Sequence, residues 1–283
     1  MIPAQVGVVG GGRMGAGIAH AFVCAGARVV VIERDDDAAD AASARIRMLI
    51  ARSAERGTLP GDPAGIEASV AVTTDPAMLA GCDLVIEAVP EDRAMKAEAF
   101  ARAEAVTGPG AVLASNTSSI SIDALAAAVA RPERFLGMHF FNPVPASTLV
   151  EVVTGTATDP AVTARVQGWV EGIGKRAVTV RDAPGFASSR LGVALGLEAI
   201  RMVEEGVADP ADIDAAMELG YRHPMGPLRT TDIVGLDVRL GIAEELHAQL
   251  GERFAPPDLL RGMVAEERLG RKSGRGFYEW SEG

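Results

Sequence analysis

Near the start of this sequence Gly10, Gly12 and Gly15 form G-x-G-x-x-G, a spacing able to hold the pyrophosphate of a dinucleotide. Gly10 permits a tight turn, Gly12 lets phosphates approach the backbone, and Gly15 lets a helix pack close, so that amide donors and the helix dipole face the ligand. Glu33 follows at the end of a second apolar run, where a carboxylate accepts hydrogen bonds from a ribose and repels a 2′-phosphate; this favours NAD over NADP. Arg34 beside it works the other way if it pairs with a 2′-phosphate, or lies against the adenine. The second chemistry is proton transfer. Of His20, His139, His223 and His247, only His139 ends a predicted strand, and the carboxyl ends of strands in an open sheet face the ligand crevice. An imidazole there suits removal of a hydroxyl proton as hydride leaves an alcohol carbon. His20 and His247 read as packed or surface histidines of helices, and His223, in a loop, stays open.

These residues need elements to carry them. Apolar runs at 5–9 and 28–32 flank a helical pattern at 14–25, and a long alanine-rich helix at 36–56 precedes a Gly/Pro-rich break at 59–65. Further strands are expected at 70–73, 84–88, 111–115, 135–139, 149–153 and 176–180, with helices at 94–105 and 122–130. The alternation predicts an α/β domain, a Rossmann-type, mostly parallel sheet covered on both faces. The pattern stops at Asp182. Beyond it helices are expected at 185–205, 210–218, 227–250 and 257–267, several opening at or near a proline. The reading is a nucleotide-binding domain over 1–182 and a smaller all-α domain over 183–283, with a tight junction that leaves room for a cleft.

A chain of 283 residues suits two domains, and 48% hydrophobic residues with only 4% aromatics imply aliphatic cores. A net charge of -11 argues against nucleic acid and anionic membranes as partners. No leader pattern and no long apolar run appear, and Cys24 and Cys82 have neither the number nor the spacing for disulfides or a metal site, so a cytoplasmic protein without a metal is expected. Arg45, Arg52 and Arg56 fall on one helix face. That stripe is either a phosphate handle or a solvated face with Asp40 and Glu55 nearby.

The segments VGVVGGGRMGAGIAHA, IEAVPED, SNTSSISI, GMHFFNPVPASTLVEVV, DAPGF and GRKSGRGFYEW, spread along the whole chain, resemble the 3-hydroxyacyl-CoA dehydrogenase family, and HPMGPLRTTDIVGLD is most similar to its short bacterial 3-hydroxybutyryl-CoA members. The resemblance implies an oxidoreductase that transfers hydride between NAD(H) and a short (S)-3-hydroxyacyl-CoA or 3-oxoacyl-CoA. It implies that His139 is the acid/base, that Glu151 holds it, and that Ser118 bonds the substrate oxygen. Asn142 and Asn116 match asparagines near the histidine and the nicotinamide, while Met14, Glu91 and Lys96 match cofactor contacts. Coenzyme A would lie along the helix carrying Arg52 and Arg56, and the helical domain would form a homodimer. Ser189 stands where the family often has an asparagine, so that substrate contact is shorter and limited to a hydroxyl. Two alternatives stay open: a 3-hydroxyadipyl-CoA or L-gulonate dehydrogenase, with Arg222 and Arg229 for a second carboxylate, and a non-catalytic nucleotide-binding sensor.

Overall fold

The structure, a computed structural model, describes residues 1–280. The chain divides into two compact units, Met1–Asp182 and Ala183–Gly283.

The first unit opens with β1 (Gln5–Val9), α1 (Arg13–Cys24), β2 (Arg28–Ile32), α2 (Asp36–Glu55), α3 (Pro63–Glu67) and β3 (Val70–Thr73). It continues with β4 (Leu84–Glu87), α4 (Arg93–Val106), β5 (Val112–Ser115), α5 (Ile122–Ala126), β6 (Phe135–Phe140), β7 (Leu149–Thr154), α6 (Pro160–Gly172) and β8 (Arg176–Arg181). The strands make one eight-stranded sheet in the order β3-β2-β1-β4-β5-β6-β7-β8. The first six are parallel; β7 runs antiparallel to β6, and β8 is parallel to β7. Chain order reverses between β1 and β4, and at such a switch point the loops diverge and leave a crevice beyond the strand ends.

Val6, Val8, Val29, Val31, Ile86 and Leu136 are fully buried aliphatics of strands covered on both faces. Helices begin where acids supply the missing acceptors. Asp35 accepts from the Ala38 amide at 2.7 Å to open α2, and Asp92 from the Met95 amide at 2.8 Å to open α4. Phe100 of α4 meets Phe135 of β6 edge-on with ring centres 4.8 Å apart.

The second unit is helical: α7 (Ser188–Glu204), α8 (Pro210–Tyr221), α9 (Pro227–Val234), α10 (Leu236–Leu250) and α11 (Asp258–Ala265). The single helix expected over 227–250 is two, broken at Gly235, whose φ of +104° no helix accommodates. Its amide closes α9 onto the Thr231 carbonyl and its carbonyl accepts from Arg239 to begin α10. Val193, Leu197, Ile200, Leu228, Leu236 and Leu246 form its core.

Candidate active site

The turn from β1 into α1 is built on glycine. Gly10 sits at φ +94°, and a Cβ on Gly15 would lie 1.8 Å from the Gly10 carbonyl oxygen, so α1 starts as close to the strand as backbone allows. Nothing stands within 4 Å of the place a Gly12 Cβ would take. No side chain caps α1, which leaves its first amides to a ligand's oxygens. The Glu33 carboxylate accepts from the Gly11 amide at 2.6 Å and from the Arg34 backbone amide at 3.2 Å. A groove of about 630 Å³ runs over this turn, lined among others by Gly10, Gly12, Met14, Glu33, Val89 and Met95. A cradle closed to any Cβ at Gly15 and open above Gly12, with an acid at the end of β2, fits a dinucleotide.

His139 lies in the fully buried strand β6, and the antiparallel register sets it opposite Glu151 of β7. The pairing puts imidazole Nδ1 2.8 Å from the Glu151 carboxylate; the residues are 6% and 1% exposed. Beside it, the Asn116 side-chain carbonyl accepts from the Phe140 amide at 2.9 Å, which ties the end of β5 to the end of β6. The Phe141 ring stands 4.5 Å from the imidazole, centre to centre. A buried imidazole fixed at one nitrogen presents the other for proton transfer.

The loop after β5 is held from below by charge. Glu91 accepts from the Thr117 hydroxyl at 2.5 Å and from the Ser118 and Ser119 amides at 2.9 and 3.1 Å. Lys96, 1% exposed, donates to Glu87 at 2.7 Å and stands 3.1 Å from Glu91. Glu87, at the end of β4, also accepts from the Val89 amide and the Ser115 hydroxyl, both at 2.7 Å. Burial pushes the Glu87 carboxyl above its ordinary value against the pull of Lys96. Burial presses Glu91 the same way, but Lys96 and the loop donors outweigh it and hold that carboxyl below the usual range.

A second groove, of about 320 Å³, lies between α1, α2 and the segment after β6; Arg13, Arg45, Arg52 and Asn142 are on its walls. The loops that carry this site are those of a known family. Residues 5–183 match the profile of the 3-hydroxyacyl-CoA dehydrogenase NAD-binding domain, and residues 185–280 that of the 3-hydroxyacyl-CoA dehydrogenase C-terminal domain.

The chain belongs to the 3-hydroxyacyl-CoA dehydrogenase family. The 3-hydroxybutyryl-CoA dehydrogenase of Mycobacterium tuberculosis is 46% identical, with 98% of each chain covered. A probable 3-hydroxybutyryl-CoA dehydrogenase of Bacillus subtilis is 42% identical over 98% of each chain. The crystal structure of (S)-3-hydroxybutyryl-CoA dehydrogenase from Ralstonia eutropha superposes with a TM-score of 0.94 at 39% identity, covering 99% of this chain and all of that one. The chain is thus an NAD-dependent dehydrogenase of this family, and NAD is the dinucleotide of its first domain.

The other residues singled out in the sequence of this dehydrogenase have varied surroundings. Lys96 does not reach the groove. Its ammonium lies under the loop, because the buried Glu87, the more exposed Glu91 and the Val89 carbonyl take its donors. Arg34 lines the dinucleotide groove beside Glu33 and donates to Asp35 at 2.8 Å. Arg52 lines the second groove, whereas Arg56 is exposed at the carboxyl end of α2. Ser189 stands in the first turn of α7, in the second unit. Arg229, named with Arg222 for a second carboxylate, stacks on Tyr278 at 4.3 Å and on Trp280 at 5.8 Å. His20 is buried against Ser53 at 2.9 Å, and burial first, then Lys175, lowers its pKa; His247 faces Glu252 at 3.2 Å. Both cysteines are free, with burial pushing each thiol up to about 11. Among the described residues no cluster of His, Cys, Asp or Glu is set to hold a metal, and no helix is long and apolar enough to cross a membrane.

Glu87, Ser115 and Thr117 went unflagged at the sequence level. The signal was present, since an acid ends the β4 run in IEAVPED and a serine ends the next strand, but only pairing β4 with β5 puts them face to face.

Proposed function

We propose that this dehydrogenase interconverts (S)-3-hydroxybutyryl-CoA and acetoacetyl-CoA, or close short-chain homologues, with His139 as the catalytic acid/base. The observation that carries the reading is the 2.8 Å contact between His139 Nδ1 and Glu151 at the carboxyl end of β6. Glu151 accepts a hydrogen bond from Nδ1–H, which leaves Nε2 as the base for the substrate hydroxyl. NAD, when bound, supplies the hydride acceptor. As the hydroxyl proton moves to His139, the Glu151 carboxylate stabilises the imidazolium; in reduction the same proton returns to the new alkoxide. Ser118 Oγ donates to the substrate oxygen, and Glu91 keeps that loop in place. Asn116 positions β6 through Phe140, and Asn142 borders the groove that takes the thioester. Arg52 and Arg56 hold phosphates of coenzyme A. Ser189 takes the place of the longer amide in the acyl contact.

A binding-only sensor has no need of a buried base backed by a carboxylate. A dicarboxylic substrate would call on Arg222 and Arg229, both exposed, of which Arg229 stacks on Tyr278 and Trp280. Exposed Leu191, Leu219, Tyr221, Ile233, Val234 and Val238 in the second unit support a homodimer formed through it, and two free, unreactive thiols support a reducing, cytoplasmic setting.

The test is oxidation of NADH by acetoacetyl-CoA, beside NADPH and beside free acetoacetate. Rapid loss of NADH absorbance with the thioester alone, and little with NADPH, is the expected result. Turnover of a 3-oxo dicarboxylic acyl-CoA or of L-gulonate in preference to acetoacetyl-CoA and its reduced partner would replace the substrate assignment.

A further inference from the structure

Two arginines belong to both grooves of the first unit. Arg13, the first residue of α1, and Arg45, on α2, line the dinucleotide groove and the second groove alike, whereas Arg52 lines only the second. Arg45 Nη1 donates to the Gly11 carbonyl at 3.4 Å, which draws its guanidinium over the glycine turn. Among the described residues neither Arg13 nor Arg45 is within ion-pair distance of a carboxylate; Arg47, on another face of α2, stands 4.0 Å from Glu67. The second groove is floored by Ala16 and Gly17 of α1 and walled by Asn142, Pro143, Val144 and Pro145. At Gly17 a Cβ would come within 2.8 Å of Val144, so α1 lies directly on the segment that follows His139. A ligand entering over the arginines is therefore led along α1 toward the loop next to the histidine.

We propose that Arg13 and Arg45 form a cation shelf shared by the two grooves, on which the pyrophosphate of the dinucleotide and phosphates of the coenzyme A thioester lie side by side, so that each ligand supports the other's binding. The inference rests on the acyl-CoA reading above. Two polyanions in adjoining grooves of a protein with net charge -11 repel each other and the protein. A guanidinium between them attracts both and screens one from the other, and it presents donors on more than one edge. Removing such a group weakens each ligand and also changes how each affects the other, whereas losing a cation private to one groove weakens one ligand and leaves the coupling alone.

The experiment measures NADH affinity with and without saturating acetyl-CoA, a thioester with no 3-oxo group to reduce, in the unaltered protein, Arg45→Met, Arg13→Met and Arg47→Met. In the unaltered protein and in Arg47→Met, acetyl-CoA leaves NADH binding at least as tight as before. In Arg45→Met and Arg13→Met it weakens NADH binding by about 5-fold or more, and NADH weakens acetyl-CoA binding by the same factor, as reciprocity requires. Loss of affinity for one or both ligands in these two variants with the coupling unchanged would overturn the shared shelf. If the unaltered protein binds NADH but neither binds acetyl-CoA nor reduces acetoacetyl-CoA, the acyl-CoA reading falls and the shelf falls with it.

Discussion

Lys96 puts one positive charge between the buried Glu87 and the more exposed Glu91, and the two respond in opposite directions. Glu87, raised by burial, contributes stability that is complete below its unfolded pKa and is lost as pH rises through its folded one. Glu91, lowered, contributes stability present above its unfolded pKa and lost as pH falls through its folded one. Without the lysine the buried Glu87 is costly to ionise, and Glu91 keeps only its loop donors. Lys96→Met is accordingly expected to destabilise the fold by about 3–5 kcal/mol, with the loss growing between roughly pH 5 and pH 8, as urea midpoints at the two pH values would record. Adding Glu87→Gln should recover part of it; a loss independent of pH would mean that packing, not charge, is what Lys96 supplies. The residue types of IEAVPED and SNTSSISI mark a site in the sequence, but types alone do not separate a cofactor contact from a support beneath the loop. Burial of Lys96 makes that distinction, and burial depends on how α4 packs under β4 and β5.

Elements were legible where their signals are local. The alternation of apolar runs and helical stretches marks β1 to β6 with α1, α2 and α4 to within a residue or so, because parallel buried strands are continuous aliphatic runs bounded by glycine and acid; α3 lies in the stretch that reads as a Gly/Pro-rich break, and α5 ends at Ala126, four residues short of the expected helix. The reversal of β7 was not legible. The run at 149–153 reads as a strand but says nothing of its direction, and that direction puts Glu151 opposite His139 across twelve residues of chain. The pairing came from family resemblance, not from spacing. The helix α6 was missed although Asp159 and Pro160 announce its start, and Gly235 was read through although it divides α9 from α10. In the second unit the tail is fixed by a carboxylate: Asp232 accepts from the Phe277 and Tyr278 amides at 2.9 and 3.0 Å and from the Trp280 indole at 2.8 Å. Asp232→Asn keeps the shape but replaces one acceptor oxygen by a donor. A loss of about 1.5–3 kcal/mol is expected in chemical unfolding, with Trp280 fluorescence following the same transition; an unchanged midpoint would remove the tail from the account of this unit's stability.

For the whole molecule, charge is unevenly used. A net charge of -11 disfavours anionic ligands at long range, so the arginines of α1 and α2 create a local field that the average hides. Arg52 lines only the second groove, and Arg52→Glu combined with Arg56→Glu is expected to raise KM for acetoacetyl-CoA by roughly 10-fold or more, with the effect shrinking at high salt, while NADH affinity stays within about 2-fold. Equal weakening of both ligands would assign the stripe to general attraction rather than to coenzyme A. All of these features serve one proton transfer, and the measurement that tests it most directly is turnover and NADH affinity of His139→Gln side by side. Glutamine preserves polarity at the end of β6 and removes the base. Acetoacetyl-CoA reduction is predicted to fall by about 10²–10⁴-fold with NADH bound as tightly as before, whereas unchanged turnover would contradict the role given to His139 and Glu151.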